Sequence, residues 1–202
     1  ILRAVATDGH RLAKVDLPLP DGAADLAGVI VPRKAVGELR KLLDETEDDV
    51  AIDLTEARVR FALDGVTLTT KLIDGTFPDY ERVIPTNNAK TMEVDRTEFA
   101  KAVDRVATSS TEKSRAVKLA LAQGQLTLSA TSPDSGSAEE EIAVDYEAAP
   151  LEIGFNSRYL LDIAQQIDGQ GARFHLADAA APTIVRDVAD DASLYVLMPM
   201  RV

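Results

Sequence analysis

The chain holds two histidines, His10 and His175, the side chains that titrate closest to neutral pH and so the first to weigh for proton transfer or metal binding. His175 lies in the run Arg173-Phe174-His175-Leu176, which reads as a strand with no metal-ligand partner at a useful spacing. His10 follows Asp8-Gly9, a turn signal. No Gly-x-Ser-x-Gly elbow, no glycine-rich phosphate loop and no cysteine occurs. The acidic run Asp44 to Asp49 places Asp49 and Thr55 where a calcium loop needs glycine and glutamate, so it reads as a solvated loop. Glu139-Glu140-Glu141 reads as a charged strand start. These residues support no catalytic, metal or cofactor site.

Binding chemistry is better represented. On a helical wheel, Val36, Leu39, Leu42 and Leu43 fall on one side, while Arg33, Lys34, Arg40 and Lys41 cluster opposite. A second helix offers Lys101 and Arg105 one turn apart, away from Phe99, Val103 and Val106. Such stripes suit phosphate contact without base readout, and aromatics at 4% leave little for base stacking. The last residues, Leu194 to Val202, are apolar to the end and hold two of the three methionines, Met198 and Met200. Strand pairing accounts for Leu194 to Leu197 but not for Met198-Pro199-Met200, because proline stops a ladder. An adaptable apolar peptide site there follows.

The elements that must carry these residues come from a chain of 202 residues with 34 acidic and 22 basic side chains, a net charge of −12. Hydrophobic residues make up 46%, which excludes a disordered protein. No apolar run reaches the ~20 residues of a membrane span, and no leader pattern is visible. Ile1 opens in mid-strand, so the chain is expected to start inside a longer protein. Three segments repeat one order: short strand, helix of about three turns, then several short strands. The first runs from a strand at Val29 to Val31 through a helix near residues 33–43 to strands at 50–54, 58–63 and 66–71, the last two joined by Asp64-Gly65. The second runs from 91–94 through a helix capped by Asp95 and Glu98 to strands at 116–122, 125–131 and 138–146. The third runs from 151–155, through a helix capped by Asn156 or Ser157, to strands at 172–176, 183–188 and 193–198. This is an α+β pattern with helices on one side of antiparallel sheets. Two domains are expected: residues 1–86, incomplete at the N-terminus, and residues 87–202, complete.

Five motifs in order resemble the bacterial sliding clamp, the beta subunit of DNA polymerase III. They are Ala6-Thr7-Asp8-Gly9-His10-Arg11-Leu12-Ala13, Val31-Pro32-Arg33-Lys34, Asp74 to Pro85, Ile153-Gly154-Phe155-Asn156 and Met198-Pro199-Met200-Arg201. The resemblance implies the DNA-clamp fold, with the second half of the middle domain followed by the whole C-terminal domain. It implies a cytoplasmic homodimeric ring around duplex DNA, with Arg33, Lys34, Arg40, Lys41, Lys101 and Arg105 on the lining helices. It also implies a hydrophobic pocket between the second and third domains for peptides of DNA polymerase III, the clamp loader and repair polymerases. The matching residues are Thr7, Gly9, His10, Arg11 and Leu12, then Pro78, Arg82 and Val83, with Asn156 and Tyr159. Val196, Leu197, Met198, Pro199, Met200 and Arg201 complete the set. Thr108, Ser109 and Ser110 stand where relatives carry more apolar residues at the subunit contact, which implies a more polar contact here. The alternative reading is a peptide-binding adaptor that does not encircle DNA.

Overall fold

The computed structural model describes residues 1–24, 26–44, 46–111 and 115–202. The elements, in chain order, are β1 (Leu2–Thr7), β2 (Arg11–Leu17), α1 (Arg33–Leu43), β3 (Ala51–Leu54), β4 (Arg58–Leu63) and β5 (Val66–Lys71). A 3-10 turn at Tyr80–Val83 precedes β6 (Lys90–Asp95), α2 (Arg96–Ala107), β7 (Ala116–Ala122), β8 (Gln125–Ser132), β9 (Gly136–Ala143) and β10 (Asp145–Tyr146). The chain closes with β11 (Leu151–Asn156), α3 (Ser157–Gln166), β12 (Gly171–Leu176), β13 (Thr183–Asp187) and β14 (Ser193–Leu197). The α+β build with antiparallel sheets is as expected.

The chain divides into two compact units, residues 21–79 and residues 1–20 with 80–202. The smaller unit is a meander, β3-β4-β5, with α1 packed on β5. Strict alternation in β4 turns Val59, Phe61 and Leu63 inward, where Ala35 of α1 is also buried. Asp64 and Gly65 both take positive φ, the geometry a two-residue hairpin needs to match strand twist. The expected strand at Val29 to Val31 does not form. Ile30 contributes one backbone bond, accepting from Ile73 N–H at 2.9 Å, and Pro32 supplies the N-cap of α1. Val36 and Leu43, assigned to the apolar face, are exposed, so the buried side of α1 turns toward Ala35.

The larger unit has two sheets. A seven-stranded sheet runs β1-β2-β14-β13-β12-β6-β10, and a four-stranded sheet runs β11-β7-β8-β9. Helices α2 and α3 pack against each other, and one large core joins them to both sheets through Phe99, Val103, Leu119, Leu128, Phe155 and Phe174. The Phe99 and Phe174 rings meet at 5.2 Å between centroids, tilted by 60°. The cap of α2 is as expected: Asp95 Oδ1 accepts the Glu98 N–H at 2.8 Å. Asn156, of the two residues considered, caps α3 by accepting the Arg158 N–H at 3.0 Å. The single strand expected over 138–146 is two. β9 stays with β8, while Asp145 and Tyr146 cross to pair with β6, and the Tyr146 hydroxyl donates to Ala149 O at 2.6 Å.

Candidate functional site

The hairpin β1–β2 joins the large sheet because β2 pairs with β14; Leu12 stands opposite Val196, and Arg11 opposite Leu197. A second, smaller core forms on the outer face of this sheet from Leu12, Ile184, Leu194 and Val196, covered by Val5, Tyr80 and Ile84. It is the floor of the candidate peptide site. Side chains alternate along a strand, so Val196 shares this face with Leu12 while Leu197 turns into the large core. Leu197, expected among the peptide-binding residues, is thus fully buried in that core.

The loop between β1 and β2 is held by its own side chains. Thr7 Oγ1 donates to Arg11 O at 2.8 Å and accepts the Gly9 N–H at 3.2 Å. Asp8 Oδ1 accepts the N–H groups of His10 and Arg11, each at 3.0 Å. Partial burial works against the Asp8 carboxylate, but these amides and the Arg11 guanidinium hold its pKa below the ordinary value.

Arg11 reaches from this loop to α3. Its Nη1 meets Asp162 Oδ2 at 2.6 Å, its Nε meets Asp8 Oδ2 at 3.1 Å, and its guanidinium carbon lies 4.2 Å from the centre of the Tyr159 ring. Partial burial disfavours the charge on Arg11; the two carboxylates outweigh it and raise the pKa. Sequence reasoning places neither acidic partner in the site. Asp8 has a readable signal in its position before Gly9, and Asp162 in its helical spacing of three from Tyr159.

The terminal segment is tied in by backbone bonds. Met198 N–H donates to His10 O at 3.0 Å and Met200 N–H to Gly154 O at 2.9 Å. Met198 is exposed, and Pro199 and Met200 are half-buried. Arg82 and Val83 lie exposed on the 3-10 turn, whose Tyr80 packs on the floor. Thr7, Gly9, His10, Arg11, Leu12, Arg82, Val83, Asn156, Tyr159, Val196, Met198, Pro199, Met200 and Arg201 therefore all belong to the larger unit. Pro78 belongs to the smaller one. A groove of about 890 Å³ beside the terminal segment shares Pro199, Met200 and Arg201 with this set and is otherwise walled by β7, β8, β11, Ala179–Ala180 and Val202.

The cationic candidates divide in two. On α1, Arg33, Lys34, Arg40 and Lys41 are all exposed, and Lys41 Nζ pairs with Glu38 at 3.0 Å. Among the described residues, Arg33, Lys34 and Arg40 make no ion pair. On α2, Lys101 is exposed, but Arg105 is engaged by Glu140 of β9 in two bonds, Nε to Oε2 at 2.9 Å and Nη2 to Oε1. Those bonds raise the Arg105 pKa and lower that of Glu140.

His175 is half-buried on β12; burial first, then the charges of Arg173 and Arg186, lower its pKa. Among the described residues no three acidic or histidine side chains gather as a metal site. Glu45 of the acidic run Asp44 to Asp49 lies outside the described residues. No helix among them is long and apolar enough to cross a membrane.

Residues 1–79 match the family model for the DNA polymerase III beta subunit central domain, and residues 81–201 match that for its C-terminal domain. A beta sliding clamp from Caulobacter vibrioides is 54% identical over 201 residues, covering 100% of this chain and 54% of the relative. The Escherichia coli beta sliding clamp is 38% identical over 200 residues, with 99% and 54% covered. A crystal structure of the DnaN sliding clamp from Bartonella birtlesii bound to griselimycin is 56% identical and superposes with a TM-score of 0.95, covering 99% of this chain and 54% of that one. The chain thus spans about half the length of the relatives it matches. With both domain models matched in order and the clamp fold reproduced, the chain belongs to the DNA polymerase III beta-subunit family, the bacterial sliding clamps.

Proposed function

We propose that this chain works as part of a processivity factor: a ring-shaped clamp that encircles duplex DNA and tethers the replicative polymerase and other proteins without catalysing a reaction. The observation that carries the reading is that the Thr7–Leu12 loop, next to a small apolar floor, meets the start of α3 through Arg11 and Tyr159 and the terminal segment through His10 and Met198. Apolar anchors of an extended peptide would be buried there, gaining roughly 25 cal/mol per Å² of apolar surface removed from water.

The DNA-facing part of the proposal rests on α1. Its exposed cations, of which Arg33, Lys34 and Arg40 have no ion pair among the described residues, suit contact with phosphate. Lys101 adds to the same role, and Arg105 adds to it only when Glu140 lets go. In this reading residues 1–86 are the second half of a middle clamp domain and residues 87–202 a C-terminal domain. The two family models support two parts in this order, although they meet near residue 80 and not at 86. The partners are DNA polymerase III, the clamp loader and repair polymerases in the bacterial cytoplasm, and the full-length form is a homodimer. Thr108 and Ser110 donate their hydroxyls back to Arg105 O and Ala107 O, each at 2.7 Å, which favours a more polar subunit contact at that edge. We extend griselimycin binding, seen in the Bartonella relative, to this chain.

The test is fluorescence anisotropy with a labelled decapeptide carrying leucine and phenylalanine anchors. Micromolar binding that disappears when residues 198–202 are removed is expected. Equal binding by the shortened chain would refute the site. A peptide-binding adaptor without DNA encirclement remains the second reading, favoured by the neutralisation of Arg105.

A further inference from the structure

Residues 198–202 are held to the larger unit by few backbone bonds, and one of these needs a residue with no side chain. Gly154 lies in the middle of β11, where it registers against Lys118 of β7. It is buried although it sits on the outward face of the four-stranded sheet, the face that also carries Lys118 and Glu152. The terminal segment covers it. Met200 N–H donates to Gly154 O at 2.9 Å, and the two residues form an isolated antiparallel bridge. A Cβ at position 154 would lie 2.6 Å from Met200 O and 2.8 Å from Val202 Cγ2, and would also overlap Val202 Cγ1. Real Cβ atoms essentially never approach so closely, and one of the opposing atoms belongs to the backbone and cannot rotate away. The φ of Gly154 is not in the left-handed region, so the demand for glycine here comes from this close approach alone.

We infer that Gly154 is a positioning residue for the peptide site: its missing side chain seats Val202 and the Met200 backbone, and so fixes the course of Met198, Pro199 and Met200 between His10, beside Leu12, and β11. The inference rests on the peptide-binding reading above. Without the seat, the segment keeps the Met198–His10 bond but loses its second anchor. The site then exists only in the fraction of molecules whose tail is in place, and the apparent affinity falls by that fraction.

The test uses the whole chain, the labelled leucine–phenylalanine decapeptide and backbone amide exchange at Met200. In Gly154→Ala, binding should weaken on the order of tenfold, the loss expected when the seated fraction drops below about a tenth. The Met200 amide should exchange fast while the amides of β7 and β12 stay protected. Wild-type affinity in Gly154→Ala, or a Met200 amide that remains protected, would overturn the inference. Val202→Gly guards against a variant that fails to fold, because Val202 is exposed and outside both cores. It should weaken binding modestly in the wild-type background, by removing the group that fills the hollow, and have little further effect in the Gly154→Ala background, where the Met200 backbone O still blocks the seat. An equal further loss in both backgrounds would overturn the seat. If wild type itself fails to bind the peptide, the site reading falls, and the positioning role falls with it, while Met200 exchange in the two variants still reports the seat separately.

Discussion

Helices α1 and α2 follow one recipe in sequence, an apolar stripe with cations on the other side, yet they end in different circumstances. Helix α2 buries Phe99, Ala102, Val103 and Val106, and its Arg105 is bound to Glu140 on the sheet beneath it. Helix α1 buries Ala35, leaves Val36 and Leu43 exposed, and leaves Arg33, Lys34 and Arg40 without acidic partners among the described residues. A basic stripe therefore means two things in one molecule: on α2 part of it is a strut between helix and sheet, and on α1 it is charge available to a ligand. The distinction depends on what a neighbouring strand offers, which a helical wheel does not display.

The largest effect should separate the two helices by stability. Phe99→Ala removes a fully buried ring and should cost about 3–5 kcal/mol. Leu42→Ala on α1, where Leu42 is half-buried, should cost less than half as much by urea denaturation. Equal losses would mean α1 is as deeply anchored as α2. Next, replacing Arg33, Lys34, Arg40 and Lys41 with glutamate should flatten the salt dependence of duplex binding. Each phosphate no longer neutralised lowers the log–log slope by about 0.9. An unchanged slope would favour the adaptor reading.

A smaller effect sharpens the contrast. Glu140→Gln should free Arg105 and raise duplex affinity at low salt by roughly two- to threefold, read by the same titration; no change would leave Arg105 a strut with no latent role. The smallest effect is acid lability. Asp95 and Glu140 both have folded-state pKa values below the ordinary 3.8 and 4.5. The stability they contribute is present above those unfolded values and is lost as pH falls through the lowered ones. Thermal melts should therefore drop below about pH 4, and the drop should shrink in Asp95→Asn and Glu140→Gln variants.

Much of the framework could be read from the chain. Asp64-Gly65 and Gln123-Gly124 mark turns, and the alternation in Arg58–Leu63 and Ala116–Ala122 marks strands whose limits fall where expected. Asp95 announces α2. What escaped depends on distant pairing. Val29 to Val31 has strand composition but finds no ladder, whereas Asp145-Tyr146 leaves β9's sheet because β6 offers an edge. The loop at Thr7–Leu12 and the tail at Met198–Arg201 could each be noticed, the first as a turn and the second as apolar residues around a proline. Their meeting at His10 and Met198 could not be read from either. In sequence Gly154 is one glycine in a strand, and only the tail lying across it gives the missing side chain a purpose.

The pairing of β2 with β14 has a consequence for synthesis. Within this chain β1 and β2 are synthesised well before β14, and by themselves they are a two-stranded hairpin, a structure with marginal stability in water. Their lasting neighbour, Ser193–Leu197, follows all the other strands named above. Until then β2 presents an unpaired edge, and so does β13 once it emerges, the sort of surface on which nascent chains aggregate. Closure of the large sheet is thus a late, long-range event, slowed by the loop that must be closed. The candidate peptide site depends on the same event, since its floor is Leu12 against Val196. Translation itself therefore delays that surface until β14 is in place.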